Sequence, residues 1–143
     1  MNHGYTFALL LVDDFTEDHV TRVQLLVQHL GKTRRWPLGR PWFFDEVDES
    51  SVTRPGDVPI RTVGGAVPLR RPGPELEPKD DASDLATARK VIERLSDFGS
   101  ALGLSSELQL GGQYVGRIDN GVPDRLVAEG LLGEWERSVS RPT

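Results

Sequence analysis

The sequence predicts an α+β domain: a mostly antiparallel sheet of about five strands with three helices packed on it. Three observations carry that expectation. One long amphipathic segment places Leu85, Ala88, Ile92, Leu95, Gly99 and Leu102 at steps of three and four, which is one face of a helix. After it, Leu108-Gln109-Leu110, then Gly111-Gly112, then Gln113 to Ile118 read as a hairpin, because a two-residue loop needs positive φ and Gly-Gly supplies it. The element order β-α-β-β(β)-α-β-β-α joins most strands by hairpins and intersperses helices among them.

The first strand is expected over residues 5–12. Tyr5, Phe7, Leu9 and Leu11 share one side, Thr6, Ala8, Leu10 and Val12 the other, and both sides are mostly apolar, so the strand belongs in the middle of a sheet. Asp13-Asp14 end it. Thr16 then caps a helix with Glu17 and Asp18 in its first turn. Val20, Val23, Val27 and Leu30 form that helix's apolar stripe, Leu26 broadens it, and Gly31 is placed to stop it. After a basic connection from Lys32 to Pro41, a second strand puts Trp42 and Phe44 on one side and Phe43, Asp45 and Val47 on the other. Val58 to Leu69 reads either as one strand or as a hairpin about Gly64-Gly65. Pro59 and Pro68 cannot donate to a ladder, which assigns this element to a sheet edge.

Residues 70–81 carry Pro72, Pro74 and Pro78 among charges and are expected to form an exposed connection. Ser83 is the expected cap of the long helix, which ends near Gly99 or Gly103. Beyond the Gly111-Gly112 hairpin, Asn120-Gly121 makes another turn, and Pro123 opens a last helix with Asp124 in its first turn. Leu126, Val127, Gly130, Leu131 and Trp135 give that helix its apolar side, and residues 138–143 are expected to fray.

A chain of 143 residues is expected to be one domain over 1–143, long enough to bury a core without staples. No apolar run reaches the roughly 18 residues of a membrane span. Phe7 to Val12 lacks a basic region before it and small residues after it, so a signal peptide is not expected and the reading is cytoplasmic. With no cysteine there are no disulfides and no thiolate metal sites. The formal charge is −5, which argues against a nucleic-acid partner.

Chemistry-bearing patterns are few. His3, His19 and His29 form no metal spacing, the last two lying about 15 Å apart along one helix. Asp13, Asp14, Glu17 and Asp18 are candidates for a hard cation, but they lack the EF-hand spacing and serve the helix dipole. Neither Gly-Gly pair belongs to a phosphate loop, and Ser100 lies outside any nucleophile elbow. Lys32, Arg34, Arg35 and Arg40 with Trp36 and Trp42 form a basic, aromatic strip of the kind that holds phosphate or RNA, set between acidic blocks. No catalytic constellation, cofactor or metal site is expected. The sharpest pattern is Trp42 and Phe43 followed by Asp45, Glu46, Asp48 and Glu49: aromatic anchors with an acidic field, set against the plainer reading of a solvated strand end.

The C-terminal pattern Gly112-Gln-Tyr-Val-Gly116-Arg-Ile118, Asn120-Gly121, Pro123-Asp124-x-Leu126, Gly130-Leu131-Leu132 and Trp135 resembles the end of small bacterial immunity proteins of polymorphic toxin systems. The resemblance covers about a third of the chain. It implies an intracellular protein that neutralises a cognate toxin domain by forming a stoichiometric complex, with no catalytic residues to carry over. The alternatives are a secretion chaperone or adaptor, homodimeric in some cases, and an enzyme of unrecognised chemistry.

Overall fold

The computed structural model describes residues 5–12, 15–32, 35–36, 38–71 and 75–140. In chain order these form β1 (Thr6–Leu11), α1 (Glu17–Lys32), β2 (Trp42–Asp48), a 3-10 turn at Glu49–Ser51, β3 (Ile60–Pro68), α2 (Pro78–Leu102), β4 (Ser106–Leu110), β5 (Gln113–Asp119), β6 (Val122–Pro123), a π-helical segment at Leu126–Gly133 and α3 (Glu134–Ser140). The strands make one six-stranded sheet in the order β2-β3-β1-β4-β5-β6, and every pairing is antiparallel. The architecture is α+β, as the element order predicts.

Strand alternation decides which face is covered. On β1 the residues Phe7, Leu9 and Leu11 are buried while Thr6, Ala8 and Leu10 are only partly so. Cross-strand neighbours share a face, so Phe7 and Leu9 align with Val67 and Gly65 on β3 and with Leu110 and Leu108 on β4. Helix α1 lies on this side: a Cβ added at Gly65 would sit 2.6 Å from Val27 Cγ2. The core cluster contains Val20, Val23 and Val27 of α1, Val91, Ile92 and Leu95 of α2, Val127, and strand residues from this one face. Burying such side chains contributes roughly 1.5–3 kcal/mol each relative to exposure.

Local chemistry explains most boundaries. Thr16 and His19 cap α1 reciprocally: the His19 N–H donates to Thr16 Oγ1 at 3.3 Å and the Thr16 N–H to His19 Nδ1 at 3.0 Å. Histidine here takes the place that Glu or Gln holds in a capping box. Gly31 does not stop the helix; α1 runs on to Lys32. The indole N–H of Trp36 donates to the Leu30 carbonyl at 3.0 Å, satisfying one of the orphan acceptors at that helix end. At the other helix, Gly103 ends α2 in the left-handed region, with φ 65°.

Two expectations are overturned. Of the two readings of Val58 to Leu69 the single strand holds, while the hairpin and the edge placement do not: β3 lies between β2 and β1. Pro59 precedes it and Pro68 closes it, so neither proline has to donate within the ladder. Helix α2 begins at Pro78, five residues before Ser83, with Glu77 as the N-cap residue and no side-chain cap bond. Proline fits the first helical turn, where its missing N–H has no partner to lose. Of the expected 70–81 connection, residues 72–74 lie outside the described residues and residues 78–81 are helical. Buried Asp84 ties that start to the end of β3, accepting from the Arg70 N–H at 3.0 Å and from Arg70 Nη1 at 2.6 Å.

Candidate functional site

Because the core occupies one face of the sheet, the other face has no helix on it among the described residues. The pairing register lays out that face. Trp42, Phe44, Glu46 and Asp48 on β2 stand beside Ala66, Gly64, Thr62 and Ile60 on β3; Ala8 and Leu10 on β1 follow, then Gln109 and Glu107 on β4. Trp42 and Phe44 are partly exposed, and Ile60 and Tyr114 are exposed. Glu46, Asp48 and Glu107 make the β2-to-β4 stretch of this face acidic.

The six residues singled out in sequence as an aromatic-acidic binding patch therefore divide. Trp42, Glu46 and Asp48 lie on the uncovered face, and Glu49 follows in the adjoining exposed 3-10 turn. Phe43 pairs with Gly65 and packs against the core, so it is no free anchor. Phe44 takes its place beside Trp42. Asp45 points to the helix side, where Arg61 Nε donates to Asp45 Oδ1 at 2.9 Å and Arg61 Nη2 to Asp45 Oδ2 at 2.7 Å. The same guanidinium also bonds Glu17 at the start of α1 and lies 5.8 Å above the Phe15 ring.

That arrangement has an electrostatic consequence. The Arg61 hydrogen bonds hold the Asp45 and Glu17 carboxyls below the usual carboxylate range, and the two carboxylates raise the Arg61 guanidinium above its ordinary value. Asp45 is thus spent on a link between β2, β3 and α1. Among the described residues Glu46, Asp48 and Glu49 belong to no ion pair. Asp48 caps the 3-10 turn, with Oδ1 accepting from the Ser50 N–H at 3.0 Å.

The other candidates fare differently. Asp13 and Asp14 of the acidic block, His3 and Arg34 lie outside the described residues. Within the described residues no cluster of three His, Cys, Asp or Glu has metal-binding geometry. Trp36 of the basic strip packs against the core and caps α1, so it offers no open stacking platform. A groove of about 310 Å³ lies between Tyr5, Leu76, Leu110, Leu131 and Trp135. Two of its polar groups are already engaged: Asp81 accepts the Trp135 indole N–H at 2.7 Å, and Arg70 is held by Asp84. Burial pushes the Tyr5 hydroxyl up, with Arg71 opposing.

Gly116 and Asp124 of the C-terminal sequence pattern serve the fold. Gly116 (φ 133°) sits at a bulge opposite Leu108 and Gln109, where a Cβ would meet Val127 and Asp124. Asp124 joins strand to helix: Oδ2 accepts from the Arg117 N–H at 3.1 Å and Oδ1 from the Val127 N–H at 3.0 Å. The last helix does not start at Pro123 but opens as a π-helical segment at Leu126. Its wider turn breaks the 3.6-residue phase on which the expected apolar stripe depends. Val127 is fully buried and Leu126 is exposed. No family model, curated protein or solved structure matches this chain. No helix among the described residues is long and apolar enough to cross a membrane.

Proposed function

We propose that this chain is an immunity-type protein of the bacterial cytoplasm that binds a cognate toxin domain and neutralises it by stoichiometric complex formation. The observation that supports this reading is the uncovered sheet face, which carries Trp42 and Phe44 beside carboxylates that no cation within the described residues neutralises. Contiguous apolar surface rimmed by charge is what protein-binding surfaces present. The partner that fits it is a toxin domain with a basic substrate-binding cleft. Trp42 and Phe44 supply apolar contact, while Glu46, Asp48 and Glu49 supply a field that steers association.

The test is co-expression with the toxin domain encoded beside this chain's gene. The expected result is survival of the host and a one-to-one complex in which the toxin's activity is suppressed. Survival without a complex, or a complex with full toxin activity, overturns the reading. The groove at Trp135 gives the enzymatic alternative little support, because its Asp81 already accepts from the Trp135 indole and its Arg70 is held by Asp84.

A further inference from the structure

β2 is the outermost strand of the sheet, seven residues long and without an internal proline. Among the described residues it pairs only with β3, so alternate residues between Phe43 and Asp48 direct their backbone N–H and C=O groups away from the sheet. An edge of this length is a template for another strand, and proteins commonly protect such edges with charge. The charges here have one sign. Asp45, Glu46 and Asp48 lie on the strand and Glu49 follows it. An antiparallel pairing of two copies centred on Asp45 sets Glu46 diagonal to its own copy, like charge near like charge. The same carboxylates favour a strand that carries cations.

We infer that the β2 edge pairs with an extended cationic strand of the toxin partner, which continues the sheet as a seventh strand; this rests on the binding function proposed above. The ladder supplies main-chain hydrogen bonds. Alternate side chains of the added strand fall beside Trp42, Phe44, Glu46 and Asp48 on the uncovered face, where Lys or Arg would meet the last two. Asp45 is turned to the other side and held by Arg61, so recognition on the open face belongs to Glu46 and Asp48.

The experiment uses the full chain and an end-blocked alternating Arg-Thr heptapeptide. Two further peptides have the same sequence and are N-methylated at alternate residues, one on each peptide edge. They keep the charge and remove the donors of one edge. Binding is followed by NMR titration and amide exchange. The heptapeptide is expected to slow exchange of alternate amides within Phe43–Asp48. One of the two N-methylated peptides is expected to bind at least about tenfold more weakly than its parent. The Glu46→Lys/Asp48→Lys protein should lose the cationic peptide and gain the matching Glu-Thr peptide. Equal binding of all three cationic peptides, protection located elsewhere, or β2 protection that grows with protein concentration alone overturns the inference. The same exchange measurement on the toxin complex separates the two proposals. A toxin that is held and suppressed while the β2 amides stay unprotected removes the strand pairing and keeps the function; a toxin that is not held removes the function.

Discussion

The two ends of the sheet are built on opposite terms. At the β5–β6 end, backbone approaches backbone, and Gly99, Gly116 and Gly121 leave no room for a side chain. Gly121 (φ 86°) closes the Asn120-Gly121 turn against α2, where a Cβ would sit 2.5 Å from the Ser96 carbonyl and 2.7 Å from the Ser100 nitrogen. Gly99 on α2 answers it, with its own Cβ position 3.0 Å from the Gly121 nitrogen. Asp124 fills both oxygens with backbone donors. At the β2 end, aromatic side chains are partly exposed and three carboxylates have no cation beside them among the described residues. The C-terminal pattern read in the sequence falls at the closed end, where Gly116, Gly121 and Asp124 serve the packing while Tyr114 and Leu126 stay exposed. A signature can therefore mark how a domain is built and say little about what it binds. Residues that serve binding are to be sought at the open end, where packing does not demand them.

The largest expected effect comes from breaking the closed end. Gly121→Val combines a β-branched residue at positive φ with a clash against helix backbone, and should cost about 2–6 kcal/mol. Urea denaturation measures it, and a loss below about 0.5 kcal/mol would mean that α2 and the turn are not in contact. Asp124→Ala comes next. It leaves the Arg117 and Val127 N–H groups without their acceptor and should cost about 1–3 kcal/mol. Asp124→Asn keeps one carbonyl acceptor and should lose less; equal losses would show that charge rather than bond count sets the contribution.

Sequence reasoning reads the molecule well where its signals are local. Gly111-Gly112 adopts φ 60° and 83°, as a two-residue hairpin loop requires. Val20, Val23, Val27 and Leu30 are all buried, as their spacing predicts. Reading fails where the deciding contact is distant or breaks a period. Nothing near Val58 to Leu69 tells that β1 will pair with β3 and make it an interior strand. Gly130 and Gly133 mark a weak helix, yet they do not announce a π-helical turn. At the candidate site, period-two alternation already separates Trp42 and Phe44 from Phe43 and Asp45. What it cannot show is Arg61, sixteen residues further on, taking Asp45 out of the acidic field.

Smaller effects follow from titration. Desolvation raises the Asp84 carboxyl, against the opposing Arg70 N–H and guanidinium. Between the ordinary Asp value of about 3.9 and that raised value the folded state binds more protons than the unfolded state, so this contribution falls as pH rises. Asp45 and Asp119 have the opposite sign. Hydrogen bonds from Arg61 and Arg117 lower them, so their contribution is present above the ordinary Asp value and is lost as pH falls through the depressed folded values. Asp45→Asn should therefore reduce stability at pH 7 by less than about 1 kcal/mol and flatten the acid limb of a melting-temperature profile. Asp84→Asn should remove the descending component of the profile. An unchanged acid limb in Asp45→Asn would mean that the Arg61 pair adds nothing to the fold.

The smallest effect on the fold is expected where the effect on binding is greatest. Glu46→Gln/Asp48→Asn/Glu49→Gln removes three charges and keeps the local structure, because the amide oxygen at position 48 can still accept from the Ser50 N–H. Stability should change by no more than about 0.5 kcal/mol. Association with the proposed toxin partner should slow by about tenfold and lose most of its salt dependence, with dissociation little altered, because surface charges of this kind steer the encounter. Trp42→Ala should do the reverse and speed dissociation, as loss of an apolar anchor does. Asp45→Asn is the control: its carboxylate lies on the opposite side of β2 and is already neutralised by Arg61, so association should stay close to that of the unaltered chain. If the triple variant associates at the original rate while Asp45→Asn slows it, the partner approaches from the helix side and the uncovered face is not the interface.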